Sequence, residues 1–169
     1  MPVSFEGFPR LLEARALKPG RWFMGASSQG PVLCLMTDVE IDDNAVVLTF
    51  SLGKVDAMDV RPATLKSIGG AFTSIEDDLV FAPGEGAENL RLITPGRRPL
   101  PSGALLRLSN GDMGIGFAEK LNGVFLIVSL ASGQKVDSFE LVFDRWSLSL
   151  RRGAASALVG QFRLPGWRS

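Results

Sequence analysis

Apolar residues in this chain come in short runs bounded by Gly, Pro, Asn and Asp at intervals of roughly 8 to 12 residues, the pattern of antiparallel strands. The first half predicts strands over residues 21–26, 32–37 and 45–51, with weaker ones over 57–60, 79–82 and 90–94. The second half predicts strands over 104–109, 113–119, 124–129, 136–143 and 147–150. Residues 9–17 break the pattern: a proline at the first position, good helix formers behind it and Lys18-Pro19-Gly20 at the end predict one short helix.

Two turns sharpen the second half. Asn110-Gly111 and Asn122-Gly123 each separate apolar runs and predict two-residue hairpin turns, which require positive φ angles. Gly114 and Gly116 alternate with Ile115 and Phe117, so both glycines fall on one strand face and leave room for a close approach. Residues 124–128 are apolar at every position, which puts Phe125 and Ile127 on one face and Val124, Leu126 and Val128 on the other. Both faces then need cover, from another layer, the N-terminal helix or a second subunit. A homo-oligomer with Phe125 and Ile127 at its interface is the resulting expectation.

The halves match in an ordered series. Leu17-Lys-Pro-Gly20 parallels Leu100-Pro-Ser-Gly103, Gly30 parallels Gly111, and residues 46–50 parallel 126–130. Lys54-Val55-Asp56 recurs as Lys135-Val136-Asp137, residues 79–81 as 141–143, and residues 90–92 with Arg97-Arg98 as 148–150 with Arg151-Arg152. Residues 62–76 and 83–88 read as additions to the first copy. The expected fold is therefore mainly β, with two tandem similar antiparallel units built as small barrels or a pseudo-symmetric sandwich. The expected segments are 1–16 with the short helix, a first β unit over 17–99, and a second over 100–169 with a basic C-terminal tail.

Composition adds exclusions. Of 169 residues 46% are apolar and 21% charged, a globular balance. No apolar run is long enough to span a bilayer, and charged residues occupy the start where a signal peptide would be apolar; a cytoplasmic location is expected. Histidine is absent, which removes the commonest general base and metal ligand. The lone Cys34, inside an apolar run, reads as a buried small side chain. Net charge is zero overall, but residues 1–90 carry about −6 and residues 91–169 about +6. That asymmetry favours self-association or an anionic ligand at the basic half.

Candidate chemistry is sparse. The repeated Asp56 and Asp137, with Lys54 and Lys135 two residues before each, would make a carboxylate dyad if a pseudo-twofold brought them together. Neither aspartate is followed by the Thr-Gly or Ser-Gly of aspartic proteases. The run Asp38 to Asn44 is rich in carboxylates but lacks the glycine and distant glutamate of a calcium loop, so it reads as a solvated turn; no metal and no cofactor are expected. Nucleic acid is not favoured, because no segment interleaves basic with aromatic residues. Arg97-Arg98 ahead of Asp112-Met-Gly114-Ile-Gly116 faintly resembles PilZ domains. That resemblance implies a β barrel binding a cyclic dinucleotide through Arg97, Arg98 and Asp112. The sequence departs from the PilZ pattern in having Gly114 where a serine stands and no arginine four residues after either arginine. The leading expectation is a non-enzymatic binding or assembly protein of the bacterial-cytoplasm type. The alternatives are the PilZ-like module and an enzyme using carboxylate and lysine chemistry.

Overall fold

A computed structural model of the protein describes residues 11–84, 89–90, 102–118 and 125–163. The strands of the first half are β1 (Leu11–Leu12), β2 (Trp22–Ser27), β3 (Gly30–Ile41), β4 (Asn44–Ser51), β5 (Val60–Thr64), β6 (Gly69–Ser74), β7 (Asp78–Pro83) and β8 (Asn89–Leu90). Those of the second are β9 (Ala104–Leu108), β10 (Met113–Ala118), β11 (Phe125–Ser129), β12 (Lys135–Val136), β13 (Phe139–Phe143), β14 (Arg145–Arg152) and β15 (Ala155–Arg163). The helical content described is three single 3-10 turns, at Ala14–Ala16, Val55–Ala57 and Leu65–Ser67. The expected helix over residues 9–17 is thus a single 3-10 turn within its described part, because Leu11 and Leu12 pair with Phe72 and Thr73 and are held extended.

The strands form three antiparallel sheets, ordered β1-β6-β2-β3-β4-β5, β8-β13-β9-β10-β11-β12 and β15-β14-β7. The two six-stranded sheets have one topology, with β8 in the place of β1, β9 in that of β2, β13 in that of β6, and β10 to β12 in those of β3 to β5. The match extends to single hydrogen bonds. Gly20 donates its N–H to the Met36 carbonyl at 2.9 Å and Gly103 donates to Gly116 at 2.8 Å, both glycines having positive φ. Met36 then faces Val47 as Gly116 faces Ile127, and the β2–β6 and β9–β13 pairings each carry a register shift. The fold is therefore mainly β with two similar tandem units.

Several finer expectations are corrected. Among the described residues no sheet closes into a barrel, since the two end strands of each six-stranded order do not pair with each other. Lys54-Val55-Asp56 and Lys135-Val136-Asp137 are not equivalent: Val55–Ala57 is a 3-10 turn inserted before β5, whereas Lys135–Val136 is β12 itself. In β5 it is Ala63 that faces Val47 as Val136 faces Ile127. Residues 62–76, taken as an addition, contain β6, the counterpart of β13, so residues 79–81 match β14 and not 141–143. Asn89–Leu90, expected with the first unit, pairs into the second sheet.

Turn chemistry is also redistributed. At Asn110-Gly111 only Gly111 has a positive φ, and Gly111 N–H bonds the Leu108 carbonyl, a three-residue turn with glycine at the left-handed position. The two-residue turn with both φ values positive is Asp42-Asp43, between the paired Ile41 and Asn44. Asn122-Gly123 lies outside the described residues.

The third sheet joins the units. On β14, Trp146, Leu148 and Leu150 are buried while the residues between them are not, so one face of this sheet packs inward. It completes a continuous core of Leu35, Leu48 and Phe50 from the first sheet and Leu105, Ile115 and Val128 from the second. A smaller core of Phe23, Cys34, Met36, Val47 and Ile68 covers the other face of the first sheet, which is why the run Val32 to Met36 is apolar at successive positions. The seam is reciprocal as well: β5 lies against β10, and β12 against β3. Each unit lends its terminal strand to its neighbour's second hairpin strand, the arrangement of an approximate twofold.

Candidate functional site

At this seam an open groove runs between β7 and the segment Leu130–Ala131 that follows β11. It consists of two adjoining cavities of about 350 and about 390 Å³ that share Trp22, Leu79, Leu130 and Ala131 as walls. Arg21, Asp77 and Asp78 bound one end; Phe81, Asp112, Met113 and Arg151 bound the other.

The floor is fixed by aromatic packing. The Trp22 ring lies 5.4 Å from Phe50 and 5.6 Å from Phe81, and its indole N–H donates to the Leu130 carbonyl at 3.3 Å. The far wall is fixed by hydrogen bonds between units, one backbone to backbone and one backbone to side chain. Asp38 N–H donates to the Gly133 carbonyl at 3.0 Å, and Lys135 N–H donates to Asp38 Oδ1 at 2.8 Å. Gly133, at φ 67°, sits so close to Gly20 and Met36 that a Cβ would collide with their backbone atoms.

The charges at the rim are largely used within the chain. Arg151 is 3.7 Å from Asp78 and Arg152 is 2.5 Å from Asp77, so the basic half and the acidic half meet along the β7–β14 pairing. Arg21 pairs with no carboxylate among the described residues. Asp112 belongs to its own turn, where its N–H bonds Asn110 Oδ1 and its carboxylate accepts from Asn110 Nδ2, both at 3.0 Å.

Of the residues singled out in the sequence, Asp112 reaches this groove. Lys54 and Asp56 are exposed at the 3-10 turn that packs on β15, and Lys135 and Asp137 are exposed at and beyond β12. Among the described residues no hydrogen bond or ion pair joins the two pairs, and neither borders the groove. Arg97 and Arg98 lie outside the described residues. Ile127 is 6% exposed within a single chain, and the half-buried Phe125 ring fills the space above Gly116. For Ile127 cover is thus supplied inside the chain, while Phe125 remains partly exposed.

The acidic run serves structure: Asp42 and Asp43 form the turn and Asp38 holds Lys135. Among the described residues no three His, Cys, Asp or Glu side chains gather in a way that could hold a metal ion. Sequence reasoning missed Arg21, Trp22, Leu79 and Leu130, because strand alternation marks which residues are apolar and not which seam they border.

Cys34 is fully buried, and desolvation pushes its thiol from 9.0 up to about 12. Folded protein is expected to resist thiol reagents until it unfolds. Because the native state keeps a proton that the unfolded chain releases above pH 9, the thiol's contribution to stability is lost as pH rises from 9 toward 12. Urea titrations of wild type and Cys34→Ala across that window measure this as an alkaline slope present only in wild type; equal slopes would contradict it.

The chain matches no family model, no curated protein and no solved structure. Among the described residues no helix is long and apolar enough to cross a membrane.

Proposed function

We propose that this is a non-enzymatic binding protein whose ligand lies in the groove between its two units. The observation that carries this reading is the makeup of the groove: an aromatic and aliphatic floor drawn from both units, beside a cation, Arg21, without a carboxylate partner among the described residues. Binding sites pair a concave apolar lining with a few polar groups in this way and favour junctions between units. Acid–base or nucleophilic chemistry would need activated groups within hydrogen-bond reach of one another. The groove's carboxylates are instead engaged: Asp77 and Asp78 by arginines, Asp112 by its turn.

The fluorescent probe 1-anilinonaphthalene-8-sulfonate, an aromatic anion, tests the site. Wild-type protein is expected to enhance its emission at micromolar concentration, and Ala131→Trp, which fills the groove from an exposed wall position, is expected to abolish the enhancement without lowering the melting temperature. Equal enhancement by both proteins, or none by wild type, would overturn the reading.

A further inference from the structure

Strand β14 has a neighbour on each side, β7 and β15, whereas among the described residues its counterpart β7 is paired on one side only. The strand on the far side of β14 shows what the approximate twofold places beside β7. β15 is wedged between β14 and the segment that follows β4: Met58 N–H donates to the Gln161 carbonyl at 2.9 Å, Gly160 lies against Met58, and Phe162 lies over Gly103. In the other unit the segment that follows β4 corresponds to the one that follows β11, which is Leu130–Ala131. Between β7 and Leu130–Ala131 lies the groove. Resting on the binding reading above, we infer that this groove is a strand-shaped acceptor, and that its occupant is an extended segment of a partner polypeptide which pairs with the edge of β7 left unpaired among the described residues and extends the third sheet to four strands.

The chemistry of the edge selects that occupant. An unpaired strand presents alternating N–H and C=O groups that an extended polypeptide can match along its whole length, and side-chain pockets on alternate positions then supply specificity. Continuing the antiparallel sheet, the segment runs opposite to β7, so its C-terminal end arrives beside Asp78 and Arg21. Asp77 and Asp78 are held there by Arg152 and Arg151, and Arg21 has no carboxylate among the described residues. The segment therefore carries small or apolar residues facing Trp22 and Leu79, and an acidic residue toward its C-terminal end.

A fluorescently labelled nonapeptide with the sequence of residues 155–163, the strand that fills the related position, is the probe. Titrated into the full chain it is expected to bind and to displace anilinonaphthalene sulfonate. Methylating alternate backbone nitrogens should weaken binding by about tenfold, through the hydrogen bonds it removes. A probe carrying Arg163→Glu should bind about two- to fivefold more tightly, a gain lost in the Arg21→Ala protein, as for an exposed ion pair. Ala131→Trp should bind neither peptide, which separates the groove from exchange with the chain's own β15. Equal affinity of methylated and unmethylated peptides, or no peptide binding while the dye still binds, overturns the strand acceptor and leaves the groove standing; loss of both removes the groove too. A wild-type dimer in sedimentation that the peptide splits into monomers would assign the edge to a second copy and overturn the partner occupant.

Discussion

Replacing Trp146 with alanine is expected to lower stability by about 3–5 kcal/mol, the usual cost of truncating a large buried aromatic ring. Trp146 is 1% exposed and stands where all three sheets converge. Its ring lies 5.3 Å from Phe162, 5.6 Å from Phe81 and 6.3 Å from Phe50, and the last of these belongs to the first sheet. Its indole N–H donates to the Gly103 carbonyl at 2.9 Å, a bond that also holds the positive-φ turn into β9. Alanine would leave both a cavity and an unpaired buried carbonyl. Urea unfolding followed by circular dichroism measures the loss, and Trp146→Phe, which keeps the ring but not the donor, should recover part of it. A loss below about 1 kcal/mol would show that the three sheets do not depend on this ring, since that is less than the removed burial alone is worth.

The second large effect is expected at Gly133. Alanine there is strained twice, by φ 67° and by collision with the Gly20 amide and the Met36 carbonyl, which are backbone atoms that cannot rotate away. Overpacking together with left-handed strain sets the expected loss at roughly 3 kcal/mol or more. Gly153→Ala is the matched control: φ is 59° and no atom lies within 4 Å of the added Cβ, so strain acts alone. Its expected cost is about 1 kcal/mol. Equal losses at the two glycines would mean that the close approach between units contributes nothing.

Much of the architecture was legible because strands write their burial directly into the chain. The runs at residues 32–37, 45–51, 104–109 and 113–119 became strands within a few residues, since turn residues bound them and each has an apolar face to hide. β6 and β15 were missed. Gly69-Gly70-Ala71 carries no apolar alternation, and the exposed start of β15, Ala155 to Leu158, has none to show. The duplication was visible through Gly20 and Gly103, where a positive φ leaves no other residue comfortable. Its register went astray at Lys-Val-Asp, because the same tripeptide takes two local structures, a 3-10 turn in the first unit and strand β12 in the second. The groove could not be read at all: Trp22 and Leu79 are apolar strand residues like many others, and only the reciprocal packing of two units makes them neighbours.

That reciprocity bears on how the chain is made. Phe50 and Leu48 form early in synthesis, but the rings and strands that cover them, Trp146 and Phe162 among them, follow about a hundred residues later. At typical elongation rates of about 5–20 residues per second, the first sheet waits for several seconds with one face and the edge of β7 open to the surroundings. A nascent chain paused between β7 and β14 would thus be the form most exposed to chaperones and to wrong strand pairing, and slowing translation in that interval should lower the yield of folded protein more than the same delay placed after β15.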